Sequence, residues 1–148
     1  MAKIHLSIIT PERTVYDGEV DQVNLPTTEG EITVLPHHIP LVSVLAPGEL
    51  RALAGKEAIP MVIAGGFIEV LSGNRIAILA DAAERVEELD LAAIEAARER
   101  ARATLAGARA ADDVSFANAA AGLQKELARL RVARKYRRGS HVPHTEEL

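Results

Sequence analysis

Six cations crowd into ten residues near one end of the chain: Arg129, Arg131, Arg134, Lys135, Arg137 and Arg138. Clusters of this kind neutralise carboxylates or phosphates. The carbonyls at a helix C-terminus account for two or three of them, and the surplus points to an acidic partner. Nucleic acid is the rival partner. Against it, residues 1–90 hold six basic residues and fourteen acidic ones, a net of −8, and no recognised nucleic-acid-binding motif occurs. Only Phe67, Phe116, Tyr16 and Tyr136 could stack on a base.

Other residues of chemical interest do not assemble into a reaction centre. His37 and His38 are adjacent, but no third ligand stands at a metal-binding spacing from them, so no metal site is expected. Ser43, Ser72 and Ser115 lack a nucleophile-elbow motif. Gly65-Gly66 is not followed by the lysine and helix start of a phosphate loop, and a bulge or a close backbone approach within a strand is expected there. Glu29 and Glu31 sit among turn residues, where exposure leaves neither tuned as a general acid. Cysteine is absent, which removes disulfides, thiolate metal sites and thiol nucleophiles. No catalytic residue is expected, and the chain reads as a protein that works by contact.

The elements that would carry these residues change character near Ala82. Before it, short apolar segments alternate with turn chemistry. Ile4, Leu6 and Ile8 alternate with His5 and Ser7, the pattern of a half-buried strand. Asp17-Gly18 is expected to make a tight reversal before Val20 to Leu25. Further strands are expected over Ile32 to Leu35, Leu41 to Leu45, Leu50 to Leu53, Ile59 to Ile63, Phe67 to Leu71 and Ile76 to Leu79. The expected fold class is β + α: an N-terminal β-sandwich of about eight to ten short strands, then a C-terminal antiparallel two-helix hairpin.

After Ala82 alanine becomes dense and helix formers dominate. Asp90 is expected to cap a first helix running from Leu91 to about Ala106, with Gly107 as its C-cap. Asp112 or Asp113 should cap a second helix ending near Arg138. Its Phe116, Ala120, Leu123, Leu127 and Leu130 step by four and three, a seam for a single antiparallel neighbour, with Leu91, Ile94, Ala101 and Leu105 opposite. So thin a seam gains only a few kcal/mol beyond its ordering cost, which makes the arm the least stable region, with a hinge at residues 84–89. Domain limits of 1–86 and 87–138 follow, with 139–148 expected to be a disordered tail. Residues 91–138 hold eleven basic residues against five acidic, a net of +6 opposed to the acidic body, as suits two partners. No signal segment is expected, and no apolar run approaches the roughly 18 residues that cross a bilayer, so direct membrane insertion is not expected.

Two stretches carry a family resemblance. Thr28-Glu29-Gly30-Glu31-Ile32-Thr33-Val34-Leu35-Pro36-His37-His38-Ile39-Pro40-Leu41 is followed by Leu45-Ala46-Pro47-Gly48, and Gly65-Gly66-Phe67-Ile68-Glu69-Val70 precedes Ile78-Leu79-Ala80-Asp81-Ala82-Ala83-Glu84-Arg85. Over residues 3 to about 135 the chain resembles the epsilon subunit of F-type ATP synthases, bacterial type. The resemblance implies a non-catalytic stalk subunit that couples rotation of the c-subunit ring to ATP synthesis. Its sandwich would bind the gamma subunit and rest on the c ring, with Glu29, Gly30 and Glu31 in the ring-facing loop and His38 beside it. Its helices would extend toward the alpha/beta catalytic head and inhibit ATP hydrolysis, with Arg129, Arg131, Arg134, Lys135, Arg137 and Arg138 against an acidic segment of the beta subunits. Localisation would be peripheral, on the cytoplasmic face of the bacterial inner membrane.

The resemblance requires no cofactor. ATP is the one regulatory ligand it raises, because some members bind it on the hairpin through an Ile/Leu-Asp-x-x-Arg-Ala motif. Leu89-Asp90-Leu91-Ala92 keeps the start of that motif, but Ala93 replaces its arginine and Ile94 its alanine. Asp90, Arg100, Lys125 and Arg129 match nucleotide-binding positions. Without the motif's planar guanidinium, phosphate contact is weakened.

Overall fold

The computed structural model describes residues 2–108 and 112–139. Ten strands come first: β1 Ile4–Ile9, β2 Thr14–Val20, β3 Gln22–Thr27, β4 Gly30–Val34, β5 Leu41–Leu45, β6 Gly48–Ala54, β7 Glu57–Ile63, β8 Gly66–Leu71, β9 Arg75–Ala80 and β10 Ala83–Arg85. A 3-10 turn, Val86–Glu88, leads to α1 Leu91–Ala108 and α2 Asp113–Gly139. The strands pair in the order β10-β7-β6-β3-β5-β8-β9-β1-β2, with β4 off this path and paired along β3 from Val23 to Thr27. The β3–β5 link is a single pair, Thr27 with Leu45. At that narrow joint the sheet turns over, giving one layer of β10, β7, β6, β3 and β4 and another of β5, β8, β9, β1 and β2.

Period-2 alternation fills the space between the layers. Ile4, Leu6, Ile8, Leu25, Leu50, Met61, Ile63, Ile68 and Ile78 are buried there, each contributing roughly 1.5–3 kcal/mol of burial. The expected sandwich is therefore present, near to a closed barrel, its interior filled by aliphatic side chains with Tyr16 packed against the edge.

Some local expectations are corrected. Asp17-Gly18 does not turn: Gly18 lies inside β2 opposite Leu6, and Asp17 opposite Ser7. The chain needs that length of strand because Val15 and Val20 both reach the core. An odd separation of five places them on opposite faces, and a bulge at Val15 corrects it, with Tyr16 opposite Ile8 and Thr14 opposite Ile9. The break between β2 and β3, which do not pair with each other, falls at Asp21, whose amide donates to the Leu53 carbonyl at 2.6 Å and whose carboxylate accepts from Lys3 and from the Gly55 amide. Gly65-Gly66 is the close approach expected. Gly66 has φ +118°, and a Cβ there would lie 2.1 Å from the Leu79 carbonyl oxygen.

The helices start where expected. Asp90 Oδ1 accepts from the amides of Ala92 at 3.0 Å and Ala93 at 3.3 Å. Asp112 does the same for Ser115 at 2.7 Å, and this amide, chiefly, holds the Asp112 carboxyl below its ordinary range. Gly107 is not a C-cap but lies inside α1. A glycine costs an alanine-rich helix about 1 kcal/mol, too little to exclude it from the helix.

The arm is also less detached than its seam suggests. On one side of α2, Leu130 and Ala133 enclose Ile94 of α1. On the other, Ala128 and Val132 lie on Val62 of β7. The helix thus has two neighbours, not one, and Phe116 at the far end of the seam is 39% exposed. Of residues 84–89, expected as a hinge, Glu84 and Arg85 belong to β10 and Val86–Glu88 form the 3-10 turn. Arg13 clasps Glu88 through both terminal nitrogens at 2.7 and 2.8 Å. This clasp, with the Arg85 amide, lowers the Glu88 carboxyl to about 2. The tail 140–148 lies outside the described residues.

Candidate functional site

The outward face of the β5–β8–β9–β1 layer carries a row that sequence reasoning missed. Ile9 pairs with Leu79, Leu79 with Phe67, and Phe67 with Val44, so four apolar side chains stand side by side across four strands. They are 40%, 58%, 56% and 45% exposed, and Val42 beside them is 70% exposed. Contiguous apolar surface on a firm sheet marks a place where another protein sits. The signal was there: Leu41-Val42-Ser43-Val44-Leu45 and Ile76-Ala77-Ile78-Leu79 are apolar on both faces, whereas a strand with one wet face alternates.

The Glu29–Gly30–Glu31 turn joins β3 to β4 and is exposed. Thr27 Oγ1 accepts from the Glu29 amide at 3.2 Å and donates to the Gly30 carbonyl at 2.6 Å. Gly30 has φ +122°, which only glycine adopts readily. His38 is not at that turn but beyond the opposite end of β4. There its Nδ1 lies 2.6 Å from the Ile39 carbonyl, and the His37 amide donates to Asn74 Oδ1 at 2.6 Å. His37 has φ +66°. Among the described residues no group of three or more His, Cys, Asp or Glu could hold a metal ion.

The outer face of the other layer carries the arm. Val62 on β7 pairs with Glu49 on β6 and with Glu84 on β10, so an acid, an aliphatic and an acid form one row. Across this row α2 places its own triplet. Arg129 Nε donates to Glu84 Oε2 at 2.7 Å and Nη2 to Glu84 Oε1 at 3.0 Å, while Nη1 reaches Glu126 at 2.7 Å. Val132 covers Val62. Lys135 Nζ donates to Glu49 Oε2 at 2.7 Å, and the Tyr136 hydroxyl donates to the other Glu49 oxygen. Burial opposes the Arg129 charge more than any single contact favours it. The hydrogen bonds that Arg129 donates to Glu84 and Glu126 together win, and the guanidinium pKa rises above its ordinary value. Burial, then Glu49, pushes Tyr136 up to about 12.

Of the other expected cations, Arg134 meets Glu95 of α1 at 3.5 Å. Arg131 is exposed and makes no ion pair among the described residues. The side chains of Arg137 and Arg138 lie outside the described part. Among the described clefts, none is lined by more than one of the four nucleotide candidates. A cleft of about 480 Å³ at the foot of the arm is lined by Val86, Leu89, Asp90, Leu91, Ala133 and Tyr136. Asp90 is the one candidate there, its carboxylate serving as the α1 cap. Arg100 is on the exposed face of α1, Lys125 is half-buried on α2, and Arg129 is committed to two carboxylates.

The model of the ATP synthase delta/epsilon chain β-sandwich domain matches residues 3–86. The ATP synthase epsilon chain of Dehalococcoides mccartyi (strain CBDB1) is 44% identical over 142 residues, covering 96% of this chain and 100% of that one. The chain belongs to the ATP synthase epsilon family. Within that family the Syntrophobacter fumaroxidans protein is 47% identical over 133 residues, covering 90% of this chain and 97% of its own. Among solved structures, one chain of the Euglena gracilis mitochondrial ATP synthase OSCP/F1/c-ring assembly superposes with a TM-score of 0.71 at 28% identity. The match covers 86% of this chain and 79% of that one. Family and geometry agree on a sandwich followed by two helices. No helix among the described residues is long and apolar enough to cross a membrane.

Proposed function

We propose that this chain is a non-catalytic central-stalk subunit of a proton-translocating ATP synthase, coupling c-ring rotation to ATP synthesis and restraining ATP hydrolysis through its helical arm. The supporting observation is the exposed row Ile9–Leu79–Phe67–Val44, contiguous across four strands of a sandwich whose interior is well buried. A subunit that transmits torque needs a rigid body with one apolar face for a rotating neighbour, and the gamma subunit is the neighbour this row suits. The polar turn Glu29–Gly30–Glu31, with His38 at the far end of β4, is assigned to the c-ring side. Arg129, Arg131, Arg134, Lys135, Arg137 and Arg138 are assigned to an acidic segment of the beta subunits when the arm extends toward the alpha/beta head. Attachment to the cytoplasmic face of the bacterial inner membrane then comes through these partners.

The test is ATP hydrolysis by complexes assembled with the full chain and with residues 88–148 deleted. The deletion should leave assembly intact and raise hydrolysis several-fold. Equal rates would remove the restraining role of the arm, and a stalk that assembled without the sandwich face would remove the coupling role.

A further inference from the structure

The match between α2 and the sheet beneath it is dimensional as well as chemical. Neighbouring strands lie about 4.8 Å apart, so Glu49 and Glu84, two strands apart with Val62 between them, stand roughly 10 Å from each other. Along an α-helix six residues rise about 9 Å, which is the step from Arg129 to Lys135. Val132, midway between them, falls on Val62. The order acid, aliphatic, acid on the sheet is therefore met by cation, aliphatic, cation on the helix, in register.

The cations so used are the ones assigned to a partner. Arg129 is 18% exposed, pinned by Glu84 and by Glu126 of its own helix. Lys135 is held by Glu49, and it shares a cleft of about 190 Å³ with Glu31, Glu49 and Arg51. That cleft joins the end of the arm to the exposed turn of the sandwich.

We propose that the Glu49–Val62–Glu84 row is an internal substitute for the arm's acidic partner. It occupies Arg129, Val132 and Lys135 while the arm is docked, so docking and partner binding exclude each other. The partner chemistry it implies is specific: two carboxylates about 10 Å apart flanking an aliphatic side chain. This deepens the reading that α2 serves an acidic protein segment, and it rests on that reading. It also accounts for a sandwich face that is acidic where the arm lies and apolar on the opposite layer. The arm's strength of attachment is then set by two sheet residues that never touch the partner.

The full-length isolated chain tests this without the rest of a complex. Hydrogen exchange of α2 amides and binding of poly-L-glutamate at low salt are measured for the parent and for Glu49→Gln with Glu84→Gln. Both changes are isosteric and lie on the sheet's outer face, so the sandwich core serves as an internal control for folding. Exchange across residues 125–136 should quicken at least tenfold, and poly-L-glutamate should bind at least threefold more tightly. A second variant, Glu84→Arg with Arg129→Glu, should return exchange toward the parent rate while weakening poly-L-glutamate. Unaltered exchange and affinity, with the parent binding measurably, would overturn the substitute alone. Faster exchange with no binding by either protein would overturn the acidic-partner reading, and the substitute with it.

Discussion

Arg129 and Glu84 lie 45 residues apart in sequence and meet through two parallel hydrogen bonds, Nε at 2.7 Å and Nη2 at 3.0 Å. Both side chains are largely shielded, at 18% and 29% exposure. Arg129→Ala leaves Glu84 and Glu126 without their shared cation, an imbalance that costs about 1–3 kcal/mol in partly buried surroundings. The loss should fall on the docking of α2 and not on the sandwich. Native-state hydrogen exchange should show α2 opening sooner while β1, β8 and β9 keep their protection. Equal slowing or equal quickening in both parts would mean that arm and body open together.

Phe67 offers the opposite kind of site. Its side chain is 56% exposed and flanked by Val44 and Leu79. Phe67→Glu should leave the melting temperature of the free chain within about 2 °C, because little buried area is lost. Binding to an isolated gamma subunit should weaken at least tenfold by calorimetry. Ile78→Ala, fully buried in the neighbouring strand, should instead destabilise the free chain by about 2–5 kcal/mol. If Phe67→Glu retained full affinity, the row would be surface without a partner.

Gly66 sets the geometry of β8 where it meets β9. At φ +118°, with a Leu79 carbonyl 2.1 Å from any added Cβ, Gly66→Ala is strained and obstructed at once. The expected loss is at least about 2 kcal/mol, seen as a lower denaturation midpoint. Gly55→Ala makes the comparison: it shares a positive φ of +63° but has nothing within 4 Å. It should cost distinctly less. Similar losses at both positions would assign the effect to backbone angle alone.

These sites were not equally legible from sequence. Strands with one wet face declare themselves through alternation, so Ile4, Leu6 and Ile8 were readable as core. The caps at Asp90 and Asp112 were readable because side chain and amide are local partners. What escaped depends on distant chain. Asp17-Gly18 has turn composition, yet a bulge at Val15 and pairing with β1 keep it extended. Ala128 and Val132 break the seam's rhythm because they answer to Val62, outside the hairpin. The row Ile9–Leu79–Phe67–Val44 exists only once four strands are aligned. For the same reason the cation cluster was legible as charge, but its carboxylate partners Glu49 and Glu84 were not.

Acid should loosen the junction between body and arm. The Glu88 carboxyl, ordinarily at 4.5, lies at about 2 in the folded chain, first because Arg13 hydrogen-bonds to it and next because the Arg85 amide does. A depressed folded value stabilises above pH 4.5 and is lost as pH falls toward 2. Because the pair is substantially exposed, screening limits its worth to under about 1 kcal/mol. Glu88→Gln should therefore lower stability slightly at pH 7 and remove that part of the acid dependence between pH 4.5 and 2. Parallel pH–stability curves for the two proteins would show that the Arg13 clasp carries none of it.

At the alkaline end the sensitive group is Tyr136. Its hydroxyl is partly buried and donates to Glu49, which also accepts from Lys135. Burial comes first and the Glu49 hydrogen bond second in moving its pKa from 10.0 to about 12. A raised folded value means that the docked arm holds its proton more tightly than the free chain does. This contribution is whole below pH 10 and disappears as pH climbs through 12. In a Tyr16→Phe background Tyr136 is the only tyrosine, and its phenolate absorbance can be followed directly. The midpoint should lie near 12 and should drop toward 10 in Glu49→Gln, by the part of the shift that the carboxylate supplies. Exchange of α2 amides should quicken over the same pH interval, once the intrinsic base catalysis seen in an unfolded reference is divided out. A phenol titrating near 10 with α2 still protected would detach Tyr136 from the docking of the arm, leaving Arg129 and Lys135 to hold it.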